Sequence, residues 1–585
     1  MLIEIPDETE EEEKKQTDAD KLVTIGLINY RFTDQHGVVH ARVTLEAFPD
    51  ATYTTYTSSY LFKGKNKDVS TSTLNNTNSK NTLNNTENTV SGVSGVRHRL
   101  VTLPMHSSLY KEYLADRFYS MFGKVAGSLN LAITTLSGRT RRENNKHRLY
   151  NRVAPDPDGN GFWIDMCDKN WRAIHVTEEG WKIVDNPPVL FKRFKHQKSL
   201  AVPVVPAEGK EADTALKFLE FLNLRNETDK ILFMCAVISY FVPDIEHPGL
   251  CVAGDTGSAK SMFFELTKKL IDPSVNETIS MSDDEAGLAQ QLYHNYFVCF
   301  DNLGSLTTWK SDMLCRAVTG AGFSKRKLYT DDEDIIYQFY RCIGLNGINV
   351  AVRKSDLMDR LILFKLERFT EIETKEKKKL FAEFEKERGK ILGAILAILS
   401  KAIKLEKEIE LTSYKRLADF HKWGCAISQA LGYGVEKFND AYTKKVELQN
   451  EEVLSASSTA TALLGYLKDN LDKVQYESES EIYTITMAPT EWFKEVTDFA
   501  KKEGIKTSKG YWAGDASHFV RRLNEVKPNL EKVGIIIQRY SDGSNRSLIV
   551  DVTRLMSKST SKSKGDSFWD KAVEGKGDKK TAKHK

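Results

Sequence analysis

The sequence predicts an α/β protein in several parts: a central phosphate-loop domain on a parallel sheet, an α+β module before it, and a helical segment and a winged-helix domain after it. Three observations carry this reading. An apolar run, Leu250 to Ala253, enters the glycine-bearing loop Gly254-Asp255-Thr256-Gly257-Ser258-Ala259-Lys260-Ser261 and leaves it into the helically spaced Met262 to Leu270. Two further apolar runs end in polar residues, Asn295 to Asn302 and Tyr340 to Asn346, as buried parallel strands do. Close to the C-terminus a helix with Arg521 and Arg522 precedes a hairpin pattern turned at Asp542-Gly543, the order of a winged helix.

Taken in order, residues 1–20 read as an acidic disordered tail, and 21–69 as a small β-rich segment with alternation in Val23 to Ile28 and Val38 to Val43. Residues 70–96 are a Ser/Thr/Asn-rich linker that cannot bury a core. Residues 97–205 form an α+β module, with a helical pattern over 107–136 and short aromatic strands at Gly161 to Asp165, Trp171 to Val176 and Trp181 to Val184. It closes on Phe191 to Lys198, where basic and aromatic residues interleave; this segment either tracks a nucleic-acid backbone or is a solvated edge. The phosphate-loop core spans 206–370, a strongly helical region 371–450, the winged-helix domain 453–552 and a lysine-rich disordered tail 553–585.

Length, at 585 residues, allows several cores, and a net charge of +3 makes any nucleic-acid surface a matter of local clusters. The seven cysteines include no CxxC pair and sit mostly in apolar runs, as buried thiols of a reducing compartment do. The longest apolar runs fall short of the roughly 18 residues a membrane span needs. The acidic N-terminus is the reverse of a secretory leader, so a soluble cytoplasmic protein with no membrane partner is expected. Asp165-Met166-Cys167-Asp168 lacks the acidic pairing and downstream histidine of a two-metal nucleotidyl transferase.

In a strand-loop-helix unit of this kind the loop N–H groups wrap phosphates, the lysine neutralises them, and the Ser261 hydroxyl helps hold Mg²⁺. Ala259 stands where glycine is usual, and its methyl is tolerable if the backbone there is right-handed. Asp301, at a strand end, supplies a carboxylate for the same metal, and Asn346 can orient water and sense a γ-phosphate.

On Gly254 to Ser261, Phe300-Asp301-Asn302, Thr319 to Tyr329, Leu345 to Ile348, Asp356 to Arg360 and Arg416 to Phe420, the region 140–445 resembles the AAA+ ATPase of superfamily 3 helicases. Its nearest type is the primase-helicase-related kind of phages, plasmids and other mobile elements. The resemblance implies that Gly254 to Ser261 bind ATP, that Ser261 and Asp301 hold Mg²⁺, and that Asn346 is the sensor. Arg360, or Arg353 in its place, reaches the γ-phosphate of a neighbouring subunit, which requires a homo-oligomeric ring, a hexamer. The region 371–450 becomes a helical lid. Lys325, Arg326 and Lys327 fall where such helicases place a hairpin facing the central channel, and phosphate contacts suit that task. In the winged helix His518, Arg521, Arg522, Arg539 and Arg546 are the DNA contacts, although winged helices also serve as protein-interaction modules.

Asn302 departs from that pattern, because such helicases place a second acidic residue there. An amide orients water but takes no proton, so either Asp283, Asp284 or Glu285 supplies the base or hydrolysis is slow. The expectation is an ATP-dependent helicase or translocase on single-stranded or forked DNA in mobile-element replication, with a primase or other replication partner. The alternatives are an ATP-switched initiator or loader, and an ATPase that remodels proteins.

Overall fold

The computed structural model describes residues 16–46, 98–254, 258–304, 306–326, 334–337, 340–347, 355–367, 377–477, 482–508, 512–542 and 545–554. The expectations for the acidic run, the Ser/Thr/Asn-rich linker, Asp255, Thr256, Gly257, Lys327, Arg353 and the lysine-rich tail lie outside those residues.

The N-terminal unit comprises α1 (Asp18–Leu27), β1 (Tyr30–Thr33), β2 (Val39–Glu46), β3 (His98–Pro104), α2 (Ser108–Phe122) and α3 (Leu129–Glu143), its strands forming an antiparallel sheet in the order β1-β2-β3. Val23 to Ile28, expected as a strand, belongs instead to the helical turns of α1 and its C-cap. Thr17 and Asp20 form a reciprocal capping box, and Leu22, Ile25 and Gly26 place a helical stripe on the core. Local alternation loses to that cap and that stripe. Gly26 makes room for a neighbour, since a Cβ there would come within 2.3 Å of Leu136 Cδ1 and displace that side chain.

Next come β4 (Leu149–Tyr150), β5 (Val153–Pro155), β6 (Gly161–Asp165), β7 (Ala173–Thr177), β8 (Gly180–Val184) and β9 (Leu190–Phe191), of which β5-β6-β7-β8 make an antiparallel meander. The meander and the central domain share one hydrophobic core. A buried ionic knot fastens them further. The Asp272 carboxylate accepts from Arg152 Nε (3.0 Å) and Nη2 (2.8 Å), from Lys268 Nζ (2.7 Å), and from the backbone N–H of Tyr296 and Phe297. Burial pushes this carboxyl up, but the Lys268 ammonium and Arg152 guanidinium outweigh it and hold Asp272 well below the usual carboxylate range.

The central domain holds α4 (Glu211–Leu216), α5 (Glu227–Ser239), β10 (Gly249–Gly254), α6 (Lys260–Ile271), α7 (Glu285–His294), β11 (Phe297–Phe300), α8 (Thr308–Thr319), β12 (Phe323–Arg326), β13 (Asp334–Tyr337), β14 (Cys342–Asn346), α9 (Ser355–Met358) and β15 (Leu361–Leu366). Its parallel sheet runs in the order β11-β14-β10-β15, and most of its strand residues are buried, as a sheet covered on both faces requires. Helix α5 is apolar nearly all round and buried from Ile231 onward.

Three helices follow, α10 (Lys377–Glu406), α11 (Ala418–Ala430) and α12 (Val435–Ala456), all contributing to the same core. Gly389 and Gly393 on α10 let the extended chain at Val202 and Val204 lie against the helix; a Cβ on Gly393 would come within 1.8 Å of the Val204 carbonyl oxygen. The C-terminal domain has its own core and comprises α13 (Ser458–Asp469), β16 (Gln475–Glu477), β17 (Ile482–Met487), α14 (Pro489–Lys502), α15 (Ala516–Lys532), β18 (Ile536–Asp542) and β19 (Asn545–Asp551). Its antiparallel sheet is ordered β16-β17-β19-β18. Strands β16 and β17 were not expected from the sequence, and α15 continues eight residues past Asn524, through Pro528. All seven cysteines are buried free thiols, and no described helix is long and apolar enough to cross a membrane.

Candidate functional site

Strand β10 ends at Gly254, and Ser258 to Lys260 lead into α6. Gly254 is needed there because a Cβ would meet the Leu366 carbonyl oxygen at 2.4 Å and Ser258 Oγ at 2.8 Å. Ser258 is fully buried, and Asn223, which sequence reasoning missed, donates to the Glu367 carbonyl at 2.6 Å and the Ser258 carbonyl at 3.5 Å. That amide ties Ser258 to the end of β15, and no local motif marks it in the sequence. Ala259 has φ 62° and ψ 30°, so the condition set for tolerating its methyl is not met: the backbone is left-handed, and the Cβ carries strain there. Lys260 opens α6, and its ammonium reaches back to the Gly254 carbonyl at 2.6 Å.

Parallel register does the rest. Phe300 pairs with Leu345, and Val252 with Asn346, so the ends of β11, β14 and β10 come to one edge. Ser261 Oγ donates to Asp301 Oδ2 at 3.1 Å, while Asn346 Nδ2 donates to Asp301 Oδ1 and, at 3.4 Å, to Ser261 Oγ. Asn346 is 3% exposed, and its Oδ1 is buried without a hydrogen-bond partner among the described residues. Three residues separated by 40 to 85 positions in sequence thus share one small polar cluster beside the start of α6.

Asn302 follows Asp301 in a left-handed conformation with φ 56°, which asparagine tolerates better than most residues. Its side chain is exposed, and its N–H donates to Asp301 Oδ1 at 2.7 Å. Of the alternative bases, Asp284 caps α7 by accepting from Gly287 N–H at 2.8 Å, and Asp283 pairs with Lys310 at 2.8 Å. Glu285, the third, is exposed in the first turn of α7.

Arg360 is not brought to this cluster. It precedes β15 at the opposite edge of the sheet, where its carbonyl accepts from the Gly249 N–H at 2.9 Å. It is 7% exposed, with Nη1 donating to the Asp356 carbonyl at 2.6 Å and to the Asp356 carboxylate, which also pairs with Arg416 at 3.3 Å. Burial pushes the Asp356 carboxyl up, but Arg360 and Arg416 outweigh it and hold it below the usual range.

Among the candidate DNA contacts, Lys325 and Arg326 lie on β12, paired with Ile335 and Asp334 of β13 in an antiparallel hairpin. His518 and Arg521 lie on the exposed face of the first turns of α15, Arg522 is half-buried, and Arg539 and Arg546 are exposed on the β18–β19 hairpin. Within Phe191 to Lys198 the structure leaves Lys195 and Lys198 exposed and draws Lys192 and Arg193 inward. Phe191 is buried, Lys192 donates to the Tyr293 hydroxyl at 2.7 Å, and Arg193 lies over the Trp171 ring at 3.9 Å while pairing with Asp165. Lys192 and Arg193 thus tie this segment to α7 and to the β-meander, a use invisible without the tertiary partners.

Residues 213–448 match the family model described as actinomycete integrative conjugative element replication protein, and residues 457–564 match the model of that protein's RepA C-terminal domain. The matches stand in order and together take in more than half of the chain. The molecule is therefore a replication protein, α/β in class; more particularly, it is a replication protein of a conjugative element, with its role in mobile-element replication. Among solved structures, one apo form of the NrS-1 C-terminal region is 13% identical, over 78% of this chain and 92% of that one, with a TM-score of 0.35. Another is 11% identical, over 92% and 100%, with a TM-score of 0.33. No curated protein matches.

Proposed function

We propose that this replication protein is an ATP- and Mg²⁺-dependent DNA helicase or translocase of the AAA+ type, acting as a homo-oligomeric ring. The observation that carries the reading is the convergence of Ser261, Asp301 and Asn346 beside Lys260 at the carboxyl edge of a parallel sheet ordered β11-β14-β10-β15. Ligands of α/β sheets bind at that edge. The residues fit the group: a hydroxyl and a carboxylate supply hard oxygen donors for Mg²⁺, and a lysine at a helix N-terminus suits phosphate. Bound metal would neutralise charge between phosphates. Lys260 binds the outer phosphates, Ser261 and Asp301 hold the metal, and the buried Asn346 amide orients the group beside them.

Arg360 lies away from its own loop and acts on the site of an adjacent subunit once released from Asp356, and the C-terminal domain docks DNA through α15 and the β18–β19 hairpin. The order of helices and strands in that domain supports a winged helix. The experiment is ATP turnover with and without single-stranded or forked DNA, for wild type and Lys260→Ala. Turnover stimulated by DNA and abolished in the variant is expected; turnover indifferent to DNA overturns the reading.

Asn302 favours a second reading, an ATP-switched initiator or loader with slow hydrolysis, because an amide takes no proton. Asn302→Asp tests it: aspartate also accepts the left-handed backbone, so a faster turnover at unchanged ATP affinity identifies the missing base, whereas unchanged turnover places the base elsewhere.

A further inference from the structure

The far end of α15 is bonded into the segment that carries Arg360. On α12, Gln449 Nε2 donates to the Met358 carbonyl at 3.0 Å and to the Leu361 carbonyl at 2.9 Å, which flank Arg360 on either side. The next residue, Asn450, donates to the Asn529 carbonyl at 3.1 Å and accepts from Asn529 Nδ2 at 2.7 Å. All three amides are 7% exposed or less. Three residues on, Lys532 Nζ lies 2.6 Å from Asp359 Oδ1, the side chain next to Arg360. Arg360 in turn receives the Gly249 N–H at the start of the strand that leads to the phosphate-type loop.

A buried amide pair stabilises less than apolar residues of the same size, and its return is a fixed register. Here the register fixed is that of one helix, about 25 Å long by its 17 residues, against the α9–β15 segment that carries Arg360. His518 and Arg521 are exposed at the start of that helix, and Asn529 and Lys532 are anchored at its end.

We propose that α15 is the link between DNA engagement and the ATP site: DNA at its first turns sets the placement of Arg360 through Lys532–Asp359 and the Asn529–Asn450–Gln449 amides. Lys532, Asp359, Gln449, Asn450 and Asn529 are thus positioning residues for Arg360. This rests on the reading of Arg360 as acting across a subunit boundary. The coupling requires no contact between DNA and nucleotide, only that α15 and the α9–β15 segment move as one body.

The test uses the half-exposed ion pair, because its loss leaves the folded domain intact. Lys532→Glu, Asp359→Lys and the double charge reversal are compared with wild type in DNA affinity and in kcat and KM for ATP at saturating forked DNA. Each single variant is expected to lower DNA-stimulated kcat by about tenfold, with DNA affinity and KM unchanged, and the double reversal to regain most of it. Full stimulation in the single variants, or no recovery in the double, overturns the proposal. Hydrogen exchange over residues 355–366 gives a second readout independent of turnover: DNA should slow it in wild type and not in Lys532→Glu, and equal effects in both overturn the link. Turnover absent or indifferent to DNA in wild type with that exchange difference present would instead count against the helicase reading alone.

Discussion

Ala259 shows how one methyl bears on the whole site. A left-handed backbone costs a non-glycine residue about 1–2 kcal/mol, whereas glycine costs about 0.5–1 kcal/mol in unfolded-chain entropy. Strain is the larger effect, so Ala259→Gly is expected to keep or raise the thermal midpoint, although the same change inside α6 would lower it. Nucleotide affinity, read by titration calorimetry, should rise as the loop is relieved. A lowered midpoint would mean that the loop leaves this conformation in solution. The residue types of Lys260, Ser261, Asp301 and Asn346 were legible from their places after apolar runs. The conformation of Ala259 was not, because a backbone dihedral is set by tertiary packing, here the burial of the preceding Ser258 and the bond from Asn223 to its carbonyl.

Among elements, α15 and the β18–β19 hairpin form the unit that the DNA reading depends on. Arg539 pairs with Leu548, and Ser541 with Arg546, so both arginines belong to one face of the hairpin, continuous with the buried Ile537 and Val550. If the unit docks DNA by its phosphates, Arg521→Ala with Arg546→Ala should lower the slope of log affinity against log salt by about 2. An unchanged slope would turn this domain into a protein-interaction module. Hairpin and helix were both legible, one from Asp542-Gly543 and the other from its apolar spacing. Strands β16 and β17 were not, because Gln475 to Met487 mixes polar and apolar residues and becomes a sheet only by pairing with β19. The α1 helix was misread for a related reason: Val23 to Ile28 alternates like a strand, and only the cap at Thr17 and the packing on α3 decide otherwise.

At the scale of the whole molecule, burial decides the response to acid. His247 is buried beside Tyr240, and burial pushes its imidazole down to about 3; His294 is pushed down to about 4 in the same way. Both are neutral in the fold, while in the unfolded chain they take up a proton near pH 6.5. Their contribution is complete above that pH and is lost as pH falls from 6.5 toward 3 and 4, each at up to about 1.4 kcal/mol per pH unit. His247→Gln should therefore flatten the fall in stability between pH 7 and pH 5 by about 2 kcal/mol, measured by urea unfolding at both values. An unaltered slope would show that the imidazole is charged in the folded protein. Asp272 acts at lower pH and with the same sign, since its depressed carboxyl stabilises the fold above the usual carboxylate range and loses that contribution as pH falls from that range toward its own lowered value.

By itself the sequence determined the α/β class, the positions of the central strands and the residue types at their ends, because those depend on the spacing of apolar residues along the chain and on short local motifs. It also placed the arginines of the C-terminal helix and hairpin. Only the tertiary structure decided that Ser261, Asp301 and Asn346 meet, that Lys192 and Arg193 are turned to Tyr293, Asp165 and Trp171, and that α15 ends on the neighbour of Arg360. Those are contacts between residues far apart in sequence, fixed by strand register and by the burial of charged and amide groups that must find partners, and neither is written in any local window.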